Sequence, residues 1–209
     1  MAGRKILLVE GLDDVRVLST ICEAHRVPDE FKITGCEDVE RLLESLPSRL
    51  RAVEEGDILG ILIDADTDLS ARWRSLRNRF IEVGYLSGNV PGEPESGGTI
   101  MEPPTGARLP RVGIWLMPNN ETGGILEDFL AYLVPANSPL FSHAKSSVST
   151  IPEGEQRFKD AARSKALIHT WLAWQKEPGR PLGTAITAKF LDPSVPQVDA
   201  LVSWLKRLF

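Results

Sequence analysis

The chain has 209 residues, a formal net charge of −5 and a sequence pI near 5.3. Its hydrophobic fraction of 42% and charged fraction of 25% are ordinary for a globular protein and exclude a mainly disordered chain. The sequence has no apolar stretch of membrane-spanning length, no secretory signal pattern and only two cysteines, so we expect a cytoplasmic protein without a membrane partner. The negative charge argues against nucleic-acid binding through bulk charge and leaves a local basic patch or a bound cation as the route.

Strands and helices are predicted to alternate along the first part of the chain. Continuous apolar runs predict buried strands, and apolar residues at helical spacing predict helices. In chain order these are a strand at 5–9, a helix at 13–25, a strand at 31–35, a helix at 37–54, a strand at 57–63, a helix at 71–83 and a strand at 112–117. The alternation predicts an α/β fold with a mostly parallel, Rossmann-like sheet and helices on both faces.

The rest of the chain divides into a loop and a helical region. Between residues 87 and 110, ten of the 24 residues are Gly or Pro, which predicts an irregular loop with a short edge strand at 99–102. Further helices are predicted at 124–133, 154–175 and 198–208. We therefore expect an α/β core at 1–134 and a helical C-terminal extension at 135–209 that packs on the core.

Acidic residues stand where the predicted strands end. Glu10 follows the first strand, and Asp14 lies four residues later, in the first turn of the next helix. Ligands of open parallel sheets bind at the carboxyl ends of strands, so Glu10 is placed where a site is expected. For Asp14, an alternative interpretation is helix capping.

The strongest predicted strand runs directly into Asp64 and Asp66. As alternate residues they are expected to point the same way, and two carboxylates so close repel unless a cation neutralises them. Such hard oxygen ligands suit Mg²⁺. Asp68 is interpreted instead as a helix N-cap. Glu127 or Glu121, after the strand at 112–117, adds a carboxylate to the same edge, with a solvated helix face as the alternative for Glu127.

Two motifs together resemble a known family. The pattern V-E-G-x-x-D after the first strand, followed by an apolar strand that ends in D-x-D, resembles the Toprim domain of topoisomerases, bacterial primases and OLD-family nucleases. The resemblance covers about residues 4–133, and the remainder resembles an uncharacterised bacterial Toprim-related family. One departure is that Thr67 and Asp68 follow the D-x-D, where the family often has a glycine.

The resemblance implies roles for individual residues. In Toprim enzymes the glutamate is a general acid–base and the aspartates hold Mg²⁺. In OLD-like nucleases further acidic residues bind metal and a lysine neutralises charge in the transition state. Carried over, Glu10 and Lys165 become catalytic residues, with Lys189 as the alternative lysine. The implied ligands of Mg²⁺ or Mn²⁺ are Glu10, Asp14, Asp64, Asp66 and Glu127.

Arginines follow the D-x-D on the predicted third helix. Arg72 and Arg74 are candidates for positioning the phosphates of a nucleic acid. The alternative is a solvated helix surface whose arginine stems cover apolar neighbours. The spacing of these arginines puts them on more than one face of the helix, which favours the alternative for some of them.

Three functions compete at this point. The first is metal-dependent phosphoryl transfer on DNA or RNA by a nuclease. The second is a catalytically silent Toprim-like binding module that works with a protein partner, or as a homo-oligomer, in a defence or repair complex. The third is a haloacid-dehalogenase-like phosphatase, because Asp64-Ala65-Asp66-Thr67 resembles the nucleophile motif of that family. In that family the motif normally lies on the first strand, and here it follows the third.

Overall fold

A computed structural model describes residues 3–52, 54 and 56–209. Its strands are β1 (Lys5–Val9), β2 (Lys32–Gly35), β3 (Ile58–Asp64), β4 (Thr99–Met101) and β5 (Arg111–Met117). They form one sheet in the order β2-β1-β3-β5-β4. All neighbouring pairs are parallel except β4 and β5. The predicted α/β fold with a mostly parallel sheet is therefore confirmed.

The helices lie close to the predicted positions up to residue 133. They are α1 (Leu12–Ala24), α2 (Val39–Arg51), α3 (Leu69–Val83), α4 (Leu126–Tyr132), α5 (Pro139–Ser149), α6 (Arg163–Ala173), α7 (Leu182–Thr187) and α8 (Pro196–Leu208). The predicted second helix included residue 53, which lies outside the described residues. Among the described residues, no helix is both long and apolar enough to cross a membrane.

The C-terminal region differs from its prediction. The helix expected from residue 154 begins only at Arg163, after a turn in which Gly154 has a φ of +78° and a 3-10 helix at Asp160–Ala162. The helices α5 and α7 were not predicted. Serines fill much of α5, which weakens its apolar spacing, and the six residues of α7 are too few for a helical pattern to be recognised.

Each face of the sheet is covered by helices. Alternate strand residues face opposite sides, so Val9 and Trp115 belong to one apolar cluster and Leu8 and Ile114 to the other. The first cluster includes residues of α1, α4, α6, α7 and α8, and the second includes residues of α2 and α3. The C-terminal helices therefore share a core with the strands.

The strand ends that carry the acidic residues lie side by side. The register pairs Val9 of β1 with Leu62 of β3, and Asp64 of β3 with Met117 of β5. Glu10 therefore leaves the sheet next to the end of β3. The turns that lead into α1, α3 and α4 consequently form one continuous edge of the sheet.

Candidate functional site at the carboxyl edge of the sheet

Glu10 and Asp64 are joined directly at the ends of two neighbouring strands. The backbone N–H of Asp64 donates to Oε1 of Glu10 at 2.8 Å. Oδ1 of Asp64 accepts in turn from the backbone N–H of Leu126 at 2.9 Å, at the start of α4. Both acidic side chains are half-buried. These two hydrogen bonds link the turns that follow β1, β3 and β5.

Asp14 has a capping role and also lies near another acidic residue. It is 7% exposed, and its Oδ2 accepts from the backbone N–H of Gly11 at 3.0 Å. This bond closes the turn between β1 and α1, as the capping interpretation expects. Burial raises the pKa of Asp14 to about 6, and the nearby charge of Glu127 contributes to the increase.

Glu127 is paired with a lysine from the C-terminal region. It is 3% exposed in the first turn of α4, and Nζ of Lys165 lies 3.2 Å from its Oε1. Lys165 comes from the first turn of α6, because that helix begins later than predicted. Burial lowers the pKa of Lys165, but the charges of Glu127, Asp64 and Asp13 outweigh it and raise the pKa above its ordinary value.

Asp66 lies beyond the strand. β3 ends at Asp64, and Asp66 has a φ of +54°, so the expectation that two alternate strand residues point the same way does not apply. Asp66 is exposed and forms an ion pair with Arg72, whose side chain is 14% exposed. Its backbone N–H donates to the carbonyl of Gly124 at 2.9 Å. Arg74 is exposed on α3, and among the described residues the ion pairs with these carboxylates come from Arg72 and Lys165 instead.

Burial and mutual repulsion raise the pKa values of the central carboxyls. Burial, and after it the charge of Glu10, raises the pKa of Asp64 to about 9. Burial also raises the pKa of Glu10 to about 7, although the hydrogen bond from Asp64 and the charge of Arg72 oppose the increase. Glu10 and Asp64 form the carboxylate cluster together with Asp14, Asp66 and Glu127.

The cluster does not form a ready-made metal cage. Within residues 3–52, 54 and 56–209, no three His, Cys, Asp or Glu side chains are arranged so that they could hold a metal ion as they stand. Mg²⁺ does not require such a cage, because proteins often supply one or two carboxylates and leave the other positions to water and substrate. Glu10 and Asp64 offer such a pair of oxygen donors, and the excess of carboxylates over cations fits a hard divalent cation.

Asp128 and Ser164 support the site but were not predicted as site residues. Oδ2 of Asp128 accepts from the backbone N–H of Ile125 at 2.8 Å, and its Oδ1 accepts from the Ser164 hydroxyl. The second bond ties the start of α6 to α4, next to Lys165. A sequence signal exists for the cap alone, since an aspartate stands third in a helix after a Gly-rich turn. Asp68, as predicted, caps α3 by accepting from Ala71 N–H at 2.8 Å.

Two cavities differ in their relation to the cluster. A cleft of about 420 Å³ opens beside it, between the turns that follow β3 and β5, and is lined by Asp66, Gly124 and Asp128 among others. A larger cavity of about 680 Å³ lies along the later turns of α1, where Lys189 and Glu23 line it. Lys189 therefore lines the larger cavity, whereas the smaller cleft borders the carboxylate cluster at Asp66.

A protein-family model matches residues 4–209, which is nearly the whole chain. The chain belongs to the DUF3226 family. The description of that family is "protein of unknown function", so membership assigns no activity. The curated proteins and the solved structures contain no match to this DUF3226 chain. Because the matched range includes α6, Lys165 and the carboxylates lie within the same family unit.

Proposed function

We propose that this DUF3226 protein is a metal-dependent phosphoryl-transfer enzyme that acts on nucleic acid, and specifically a nuclease. The proposal is carried by the convergence of Glu10, Asp64 and Glu127 from three separate strand–helix turns at one edge of a parallel sheet. Ligands of open α/β sheets bind at that edge. The Toprim resemblance of the motifs around Glu10 and Asp64 supports the same class of reaction.

Glu10 and Asp64 are the residues that would hold Mg²⁺ or Mn²⁺, with the other members of the carboxylate cluster around them. A divalent cation bound there polarises a phosphate and lowers the pKa of a bound water. The pair is suited to this role because one oxygen of each carboxylate is fixed by a backbone N–H. The backbone thereby holds both carboxylates in place before a ligand arrives.

The chain itself supplies a proton carrier and positive charge. Oε1 of Glu10 accepts from the Asp64 N–H and keeps a second lone pair that could serve the cation, which leaves Oε2 to exchange a proton with the nucleophile or the leaving group. Lys165 and Arg72 contact the cluster at two different carboxylates, and such cations suit the non-bridging oxygens of a phosphodiester. Arg74 is exposed on α3 and available to phosphates of a longer strand.

A catalytically silent binding module is the second candidate. It is favoured by the pairing of Glu127 and Asp66 with cations of the chain itself. In this case the protein binds nucleic acid without cleaving it, and a protein partner or a second copy of the chain completes the function.

A cytoplasmic location is part of the proposal. Cys22 and Cys36 are free thiols, and free thiols are typical of proteins kept in a reducing compartment. Nucleic-acid substrates are present in the same compartment. No membrane partner is needed for this activity.

The test uses supercoiled plasmid and labelled single-stranded RNA, each with Mg²⁺, Mn²⁺ or EDTA. We expect metal-dependent cleavage by the wild-type protein and none by Glu10→Gln, which keeps the shape of the side chain but not its charge. Glu121→Gln, at an exposed glutamate in the turn after β5, is the matched control and should cleave normally.

The outcomes separate the candidate functions. Full activity in a folded Glu10→Gln variant would contradict the proposal. Metal-dependent binding of either nucleic acid without cleavage would favour the silent module. Hydrolysis of p-nitrophenyl phosphate without nucleic-acid cleavage would favour the phosphatase.

A further inference from the structure

Lys165 provides the counter-charge for a carboxylate that is almost fully buried. The Glu127 side chain is 4% exposed, and a carboxylate so far from water needs a partner or a proton. Nζ of Lys165, 3.2 Å from Oε1, is that partner. The lysine side chain itself is 56% exposed, so its ammonium reaches Glu127 from the protein surface.

The ammonium lies among several carboxylates. Besides Glu127, the charges of Asp64 and Asp13 act on Lys165. Asp64 is also one of the two proposed metal ligands, so a cation bound to it would be attracted by the same carboxylates as the ammonium. Two positive charges that are attracted by the same carboxylates also repel each other, and the repulsion is stronger where water is partly excluded. The ammonium and a divalent cation therefore compete for this part of the cluster.

The ammonium of Lys165 can move away from Glu127 without a change in the fold. The start of α6 is held against α4 by the bond from Ser164 to Asp128, which does not involve Lys165. The long lysine side chain is flexible and more than half exposed, so its head group can move into solvent while the helix stays in place. A divalent cation at the cluster would then neutralise Glu127 instead.

We propose that Lys165 is a displaceable counter-ion of the carboxylate cluster. It neutralises Glu127 in the metal-free protein, and a divalent cation displaces it and frees its ammonium to contact a substrate phosphate. The inference rests on the proposed metal-dependent function. It implies that metal and phosphate bind in order, because the ammonium becomes available to phosphate only after the cation has replaced it.

The test measures Mn²⁺ binding by calorimetry, and melting temperatures in EDTA and in Mn²⁺. We expect Lys165→Met to bind Mn²⁺ about fivefold more tightly than the wild type, because the competing ion pair is gone. In EDTA it should melt at a lower temperature, and Mn²⁺ should raise that temperature more than in the wild type. Lys165→Arg should retain the wild-type affinity, as should Lys159→Met, which removes an exposed lysine outside the cluster.

A second substitution identifies the carboxylate for which the two cations compete. In a Glu127→Gln background, Lys165→Met should give no gain in Mn²⁺ affinity. Equal or weaker Mn²⁺ binding by Lys165→Met than by the wild type would overturn the displacement and leave the proposed metal-dependent function standing. Mn²⁺ binding by none of these proteins would overturn both. If Lys165→Met does not fold, Lys165→Gln, which removes the charge but keeps a hydrogen-bond donor, is measured in the same way.

Discussion

The turns after β1 and β5 use the same capping contact in different electrostatic surroundings. In each, an aspartate at the third helical position accepts from the backbone N–H of the residue before the helix: Asp14 from Gly11 at 3.0 Å and Asp128 from Ile125 at 2.8 Å. The other oxygen of Asp128 accepts from the hydroxyl of Ser164. Asp14 instead lies near the carboxylate of Glu127 and has a raised pKa, of which burial is the largest cause.

The comparison shows that a capping bond does not decide what an aspartate does. One oxygen satisfies a helix terminus in both turns. The bond from Ser164 then makes Asp128 a structural link, and the nearby charge of Glu127 makes Asp14 a member of the carboxylate cluster. Structural and chemical interpretations of an aspartate at a helix start are therefore compatible.

The largest expected difference between the two aspartates is in activity. Asp14→Asn keeps a cap acceptor but removes a charge from the cluster, so nucleic-acid cleavage should fall roughly 10–100-fold, as for supporting residues of metal sites. Asp128→Asn should change cleavage by less than about threefold, because it leaves the charge of the cluster intact. Both are measured as initial rates at saturating Mn²⁺. Equal losses in the two variants would show that the aspartates do not differ in function.

For folding stability we expect the opposite order, with the larger loss on substitution of Asp128. Asp128→Ala removes two hydrogen bonds and should lower the free energy of unfolding by about 2 kcal/mol. Asp14→Ala also removes a cap, but it relieves repulsion among buried carboxylates, so the loss in EDTA at pH 8 should be smaller. Urea denaturation of both variants measures the difference. A larger loss in Asp14→Ala would contradict the proposed repulsion.

A further expected effect is a dependence of metal-free stability on pH. The pKa values of Asp14, Glu10 and Asp64 are about 6, 7 and 9 in the folded protein, against about 4 in an unfolded chain. The folded state therefore binds more protons between pH 5 and 9, and stability should fall as the pH rises through this window.

Melting temperatures in EDTA should therefore decrease from pH 5 to pH 9. Asp14→Asn should flatten the decrease near pH 6, and Asp128→Asn should not. Adding Mg²⁺ should reduce the decrease, because the cation takes over the neutralising role of the protons. A melting temperature that rises from pH 5 to 9 in EDTA would contradict the sign of these shifts.

The sequence predicts the edge of the sheet better than it predicts the full site. Glu10 and Asp64 follow apolar runs, and a run of that kind marks both a strand and its end. The position of Asp66 depends on a left-handed turn that the pattern does not encode. The contact of Lys165 with Glu127 depends on where α6 begins and on packing between segments far apart in sequence, and neither leaves a periodic signal.

The site residues come from both sides of the long loop, so the site forms only when the two parts of the chain fold together. Glu10 and Asp64 come before the long loop at 87–110, and Glu127 and Lys165 come after it. The ends of the described chain also meet, since Nζ of Lys5 donates to the carbonyl of Phe209 at 2.5 Å, and Phe31 stacks on Phe209 with ring centroids 4.1 Å apart. The fragment before the loop thus carries four of the five cluster carboxylates together with Lys5 and Phe31, and the fragment after it carries Glu127, Lys165 and Phe209. Two fragments that regain cleavage when mixed would therefore report reassembly of the whole fold, with the chemistry serving as the indicator.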